Sequence, residues 1–151
     1  KKWFNEKIPI DNTSISKSPL KVQSEKNIFE YMESFNESNF KCSANAIIDL
    51  ANSANLFLND REPWKQIKDQ SKKQTVANDI YSVLESCRII GILLNPLVPD
   101  LSRRILNQLS INNSSMLFEN SLKWGLLNPE IPLQNPIPVM DKIEFNEDTL
   151  K

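Results

Sequence analysis

No histidine occurs in the 151 residues, and glycine occurs only twice, at Gly91 and Gly125. The first absence removes any histidine-based catalytic triad and the commonest zinc sites. The second removes a glycine-rich loop that could cradle phosphate. Cysteine is nearly absent too: Cys42 and Cys87 stand apart, in no Cys-x-x-Cys pair. Both fall on apolar-rich helical stretches, so the expectation is two buried free thiols in a reducing cytoplasm, not a disulfide or metal site. No apolar run is long enough to cross a bilayer, and neither a signal peptide nor a membrane partner is expected. An excess of positive charge is also missing. Eighteen Lys+Arg against 19 Asp+Glu leave a net charge of −1, which argues against binding nucleic acid through charge alone. Any such role has to be local, directed at single-stranded bases.

What is present fits one soluble domain over residues 1–151, with 40% hydrophobic and 25% charged residues. A chain this long buries roughly 68–70% of its unfolded surface, enough for a core without staples. It opens on Lys1-Lys2-Trp3-Phe4, which reads as the end of a helix already under way, as in a piece of something larger. From Ile8 to Leu20 a run rich in Pro, Asp, Asn, Thr and Ser predicts a connecting loop. Ser24-Glu25-Lys26-Asn27 then opens an amphipathic helix with Ile28, Tyr31, Met32 and Phe35 on one face, ending near Ser38 and Asn39. Glu30, Glu33 and Glu37 are spaced as a solvated face of that helix. A second helix is predicted over 41–59, with Ala44, Ile47, Ile48, Ala51, Ala54 and Leu58 as its buried stripe.

A short helix over 63–70 follows, and then the longest periodic pattern, over 73–95. There Val76, Ile80, Val83, Leu84, Cys87, Ile90 and Leu94 recur at helical spacing, and Ile89, Ile92 and Leu93 widen the stripe. A helix apolar nearly all round is a central one. This helix and that over 41–59 are expected to be the longest and to lie side by side. Asn95-Pro96 breaks the central helix, and Pro99-Asp100 starts another with Leu101, Ile105 and Leu109 inward. A short helical segment is expected around Met116–Leu122. After Trp124-Gly125 the prolines Pro129, Pro132, Pro136 and Pro138 predict an extended tail over about 125–151. The architecture is an all-α bundle with an irregular, proline-rich tail.

The most informative segment is Asp60-Arg61-Glu62-Pro63-Trp64-Lys65-Gln66-Ile67-Lys68. Proline suits the first position of a helix, which places Trp64 in the first turn, at the corner between two helices. Lys65, Lys68 and Lys72 recur at i, i+3 and i+7, the spacing of one helical face. Two readings stay open on residue types alone. An indole at a helix start with a basic stripe leading away can stack a nucleobase and screen its phosphates. The other reading is a tryptophan packed into the corner beneath solvated lysines.

Read in order, these landmarks resemble the C-terminal anticodon-binding domain of methionyl-tRNA synthetase, most strongly from Ala44 to Ile143. The first stretch is Ala54-Asn55 to Pro63-Trp64, similar to a helix end followed by a Pro-Trp corner and a lysine-bearing helix. The second runs from Leu84 through Glu85, Arg88 and Gly91 to Asn95-Pro96 and Pro99. It is similar to the family's Glu-x-x-Arg helix and proline-bounded turn. The third is Ile105-Leu106-Asn107-Gln108-Leu109. The fourth is Trp124-Gly125 with Pro136 to Ile143, in which Val139-Met140-Asp141 departs from the family's Phe-Pro-Arg order.

The resemblance implies a helical bundle of the class I synthetase type, and a corner tryptophan, Trp64, that stacks on an anticodon base. The family's asparagine and arginine readers map before Lys1. Lys65, Lys68 and Arg88 are candidate contacts to the RNA backbone, with Arg103 and Arg104 less so. The default for Glu85 and Arg88, at i and i+3 along the central helix, is a structural pair. Trp3 and Trp124 are expected to be packing residues, Trp124 pinning the tail. Ser16-Lys17-Ser18 is similar only to the end of the Lys-Met-Ser-Lys-Ser signature, and the His-Ile-Gly-His signature is excluded without histidine.

The function implied is recognition of the tRNA(Met) anticodon stem-loop on behalf of a methionine–tRNA ligase. The parent's catalytic domain would be the partner and would use ATP and Mg2+, with no cofactor held by this chain. The alternatives are the equivalent domain of an isoleucine, valine, leucine or cysteine enzyme, and a helical protein-interaction module.

Overall fold

The computed structural model describes residues 3–9, 17–111, 118–129 and 131–140. Its elements are α1 (Pro19–Asn36), α2 (Phe40–Arg61), α3 (Pro63–Gln66), α4 (Lys73–Leu94), α5 (Pro99–Gln108) and α6 (Phe118–Ser121). A 3-10 turn at Gln70–Lys72 joins α3 to α4. Among the described residues the only β-type pairing is a single antiparallel bridge between Lys7 and Pro132. The all-α reading holds.

Three helices begin on proline: Pro19, Pro63 and Pro99 each occupy the first turn. This corrects the start of α1, expected at Ser24 after a loop reaching Leu20. Pro19 opens the helix because the first turn has no use for its missing N–H, and Leu20 is already buried. At the other end Ser38 turns left-handed with φ 59°, and Asn39 becomes the N-cap of α2, its side chain accepting the Cys42 N–H at 3.2 Å.

The buried face of α2 is Ser43, Ala46, Ile47, Leu50 and Ala54. The expected stripe was rotated from this one: Ile48 is 54% exposed, and Ala51 faces water as well. Ser43 and Ala46 take the inward positions because α2 lies between α1 and α4, where small residues let backbones approach. The main core joins Tyr31 of α1, Ala46, Ile47 and Leu50 of α2, Ile89, Ile90 and Leu93 of α4, and Leu122. As expected, α2 and α4 are the two longest helices, at 22 residues each, and they pack together.

A second core, Ile8 with Tyr81, Leu109 and Leu127, ties the segment near the start of the chain to the tail. Ile8 N–H donates to Ile131 O at 3.1 Å, Leu133 N–H to Glu6 O at 2.9 Å, and Tyr81 Oη–H to Leu127 O at 2.8 Å. Over residues 3–6 the helix end expected for residues 1–5 gives way to turns, and Asn5 and Glu6 have positive φ. Lys1 and Lys2 lie outside the described residues, as do Ser16, Met116 and the tail from Asp141 onward.

Two packing expectations need correction. Trp3 is exposed, while Trp124 does pack against the main core. Cys42 is also exposed, near the start of α2, and only Cys87 is substantially covered, its thiol pushed up by burial.

Candidate nucleic-acid interface at the helix corner

The corner between α2 and α3 is made by one strained residue. Glu62 has φ 43° and ψ 54° and serves as both the C-cap of α2 and the N-cap of α3. A non-glycine side chain in this left-handed region costs about 1–2 kcal/mol, so local bonds have to hold it. The Glu62 N–H donates back to Leu58 O at 3.2 Å, and Glu62 O accepts the N–H groups of Lys65 at 2.8 Å and Gln66 at 3.2 Å. Gln66 Nε2 donates to Arg61 O at 2.6 Å, and Lys65 Nζ pairs with Glu62 Oε1 at 2.5 Å. Pro63 is buried under the corner. With the pyrrolidine ring inside, the next side chain turns outward, and Trp64 is 43% exposed.

The lysines do not form the single face expected. Helix α3 is over at Gln66, so Lys65, Lys68 and Lys72 share no continuous helical register. The physical reason is Asp69. Its Oδ1 accepts both the Ser71 N–H at 2.9 Å and the Ser71 Oγ–H at 2.7 Å, which turns the chain before α4 begins. These bonds from Ser71, with lesser help from Lys72, hold the Asp69 carboxyl below its usual range. Lys65, Lys68 and Lys72 are all exposed around the corner.

Arg88 is brought nowhere near solvent, which overturns its candidacy as an RNA contact. It is buried, and its guanidinium donates to Glu85 from Nε at 2.9 Å and from Nη2 at 2.7 Å. It also donates to Ser121 O at 2.5 Å and Lys123 O at 2.7 Å. Glu85, fully buried, accepts in addition the N–H groups of Gly125 at 2.7 Å, Leu126 at 3.1 Å and Leu127 at 3.0 Å. The expected structural pair is a buried knot that locks the residues after α6 onto α4. The spacing signalled a pair but not its burial, because the covering segment lies more than 30 residues away in sequence. Arg103 and Arg104 are exposed on α5; Arg103 pairs with Asp100 at 2.6 Å and Arg104 Nη1 donates to Val139 O at 3.2 Å.

Over residues 11–149 the chain matches the family described as the anticodon binding domain of methionyl tRNA ligase. The chain belongs to that family. Among its relatives, a methionine–tRNA ligase of Thermosynechococcus vestitus is 30% identical, over 94% of this chain and 28% of that protein. Another, from Nostoc sp., is 31% identical over 93% of this chain and 26% of that protein. The apo form of Mycobacterium tuberculosis methionyl-tRNA synthetase superposes with a TM-score of 0.81, covering 96% of this chain and 29% of that chain. At 19% identity that likeness bears on the fold alone. The anticodon-binding domain described here thus spans little more than a quarter of the length of the curated relatives it matches. Of the alternatives open on sequence, the methionine branch is the one selected by the match.

Sequence reasoning passed over one further group beside the corner. Asp79 of α4 is 8% exposed, and Arg61, three residues before Trp64, reaches it with Nε 3.7 Å from Oδ1. The available signal was a carboxylate three residues after Val76, on the inward side of a helix whose buried face is otherwise small or apolar there.

Proposed function

We propose that this chain binds the anticodon loop of a methionine tRNA, with Trp64 as the platform on which an unpaired anticodon base stacks. It serves a methionine–tRNA ligase whose catalytic half activates methionine with ATP and Mg2+ in the cytoplasm. The observation that carries the reading is an indole held outward on a braced helix corner, 43% exposed over a buried proline. A side chain of this size left in water is unusual for packing alone. It suits single-stranded RNA, whose splayed bases are read by stacking on aromatic rings.

Lys65 and Lys68, exposed beside the indole, are assigned to screening the phosphates that flank the stacked base. Stacking of this kind contributes about 1–3 kcal/mol and tolerates any base, so Trp64 supplies affinity and hydrogen bonds from other groups supply discrimination. No catalytic role is assigned to the chain. ATP and Mg2+ are assigned to the catalytic half, which is also the partner that converts anticodon binding into aminoacylation.

Trp64→Ala is the test, measured as tRNA(Met) affinity together with thermal stability. The expected result is a loss of about 1–3 kcal/mol in binding. The accompanying loss of stability should lie well below the ~3–5 kcal/mol that follows truncation of a buried aromatic residue. A large fall in melting temperature with unchanged RNA affinity would show Trp64 to be a core residue and overturn the reading.

A further inference from the structure

The Trp64 corner is held by few bonds. Helix α3 has only four residues, far below the ~12–15 at which a helix supports itself in water. Glu62 makes the turn in a left-handed conformation that disfavours any side chain beyond hydrogen. Buried Pro63 fixes where the corner lies, yet one anchor does not fix its rotation, and rotation aims the next side chain. The N–H groups of Lys65, Gln66 and Ile67 bond back to Glu62 and Pro63, but none of these bonds reaches a residue of α2 itself. The Lys65–Glu62 ion pair is equally local, and both side chains are well exposed, where such a pair contributes little.

Gln66 is different. Its Nε2–H donates to Arg61 O at 2.6 Å, so the last residue of α3 is bonded to the last residue of α2. That carbonyl is one of those a helix end leaves without an intrahelical partner. The bond closes a loop around Glu62, Pro63, Trp64 and Lys65. Its acceptor end is itself held, because the Arg61 guanidinium lies over the Phe57 ring, 5.2 Å from the centroid, with Nε 3.7 Å from Asp79 Oδ1 on α4. One amide therefore connects a point fixed on α2 and α4 to the turn that bears the indole.

We propose that Gln66 is a positioning residue for RNA binding, whose amide latch sets the direction of Trp64; the proposal rests on the stacking role given to Trp64 above. In this role Gln66 contacts no base. Without the latch α3 takes other angles to α2, and RNA binds only the fraction of molecules in which the indole is correctly aimed. Apparent affinity falls with that fraction. One net hydrogen bond limits the loss to about two- to tenfold. The length of the side chain matters as well as its amide. Asparagine is one methylene too short to span the corner, and methionine has the length without the donor.

The test is a thermodynamic cycle on the 151-residue chain. Wild type, Gln66→Met, Trp64→Ala and the double variant are titrated at low salt against a fluorescein-labelled anticodon stem-loop of a methionine tRNA. The expected result is that Gln66→Met weakens binding about two- to tenfold when Trp64 is present. It should have no effect when Trp64 is already alanine, because the latch then has nothing to aim. Gln66→Asn should behave as Gln66→Met does. Amide exchange at Lys65, Gln66 and Ile67 should quicken in both, with little change in melting temperature. A loss of equal size in the two backgrounds would make Gln66 a direct RNA contact or a general support of the fold, and no loss in either would make the latch idle. Each of those outcomes overturns the positioning role and leaves the reading of Trp64 untouched. If Trp64→Ala binds the stem-loop as well as the wild type does, the stacking reading fails and the positioning role falls with it.

Discussion

Burial lifts the Asp79 carboxyl above the usual aspartate range, and the Arg61 guanidinium opposite only partly offsets the loss of water. An acid whose folded value is raised holds its proton more firmly in the folded state than in the unfolded one. Its contribution to stability is therefore fully present below the ordinary aspartate value and is lost as pH rises through the folded value. Asp79→Asn is expected to raise the melting temperature at neutral pH, with a gain that shrinks as the pH is lowered toward about 4. Thermal melts of the two proteins from about pH 4 to about pH 8 check this. A gain independent of pH would show that the carboxyl is not the source of the penalty. A buried carboxylate without a full set of partners lowers stability. Trp64 is the counterpart at the surface, where an apolar ring is left in water.

Among the elements, α4 meets α5 more closely than ordinary side chains allow. A Cβ built on Gly91 would stand 2.9 Å from Leu106 Cδ2, 3.0 Å from its Cγ and 3.2 Å from Ile105 Cγ2. The same contact is bonded, since Ser102 Oγ–H donates to Gly91 O at 2.6 Å. Gly91→Ala therefore sets two effects against each other. Crowding a packed interface costs about 1–3 kcal/mol, while alanine in a helix interior gains about 1 kcal/mol over glycine. Crowding wins here, because Leu106 is buried and has little room to retreat. The expected outcome is a net destabilisation of up to roughly 2 kcal/mol, read as a lower urea midpoint. A raised midpoint would mean that Leu106 moves aside freely. At the start of α2, Asn39→Ala should cost about 0.5–2 kcal/mol through loss of the cap to the Cys42 N–H.

At the scale of the whole molecule, one buried ion pair joins the bundle to the segment that follows α6. Truncating either Glu85 or Arg88 to alanine leaves the other charge buried without its partner, and is expected to destabilise by about 3–5 kcal/mol. Replacing both by apolar residues of similar size, as in Glu85→Leu with Arg88→Met, is often tolerated for a simple pair. Here it should recover only part of the loss. Glu85 also accepts three backbone N–H groups from Gly125 to Leu127, and the double replacement leaves all three unpartnered. Urea unfolding of the two single variants and the double variant measures the coupling. A double variant as stable as the wild type would show that those backbone groups find water, and that the segment after α6 is not held by this knot.

The sequence by itself determined the parts of this protein that depend on near neighbours. Helical periodicity placed α2 and α4 within two residues of their observed ends, and proline at a first turn marked the starts of α3 and α5. The Pro-Trp corner was legible for the same reason, since what decides it lies within a few residues. Lack of histidine and a balanced charge narrowed the chemistry before any fold was known. Only the tertiary structure decided which faces met. It rotated the buried stripe of α2 away from Ile48 and Ala51, took Arg88 out of solvent, and left Trp3 and Cys42 in it. It also gathered Ser18, the N-cap of α1, Arg61 at the end of α2 and Asp79 of α4 around one recess. Burial is a property of what arrives from elsewhere in the chain, and local spacing cannot carry that information. The Glu85–Arg88 spacing is the same whether the pair faces water or is sealed by Ser121 to Leu127, and only the packed chain distinguishes the two.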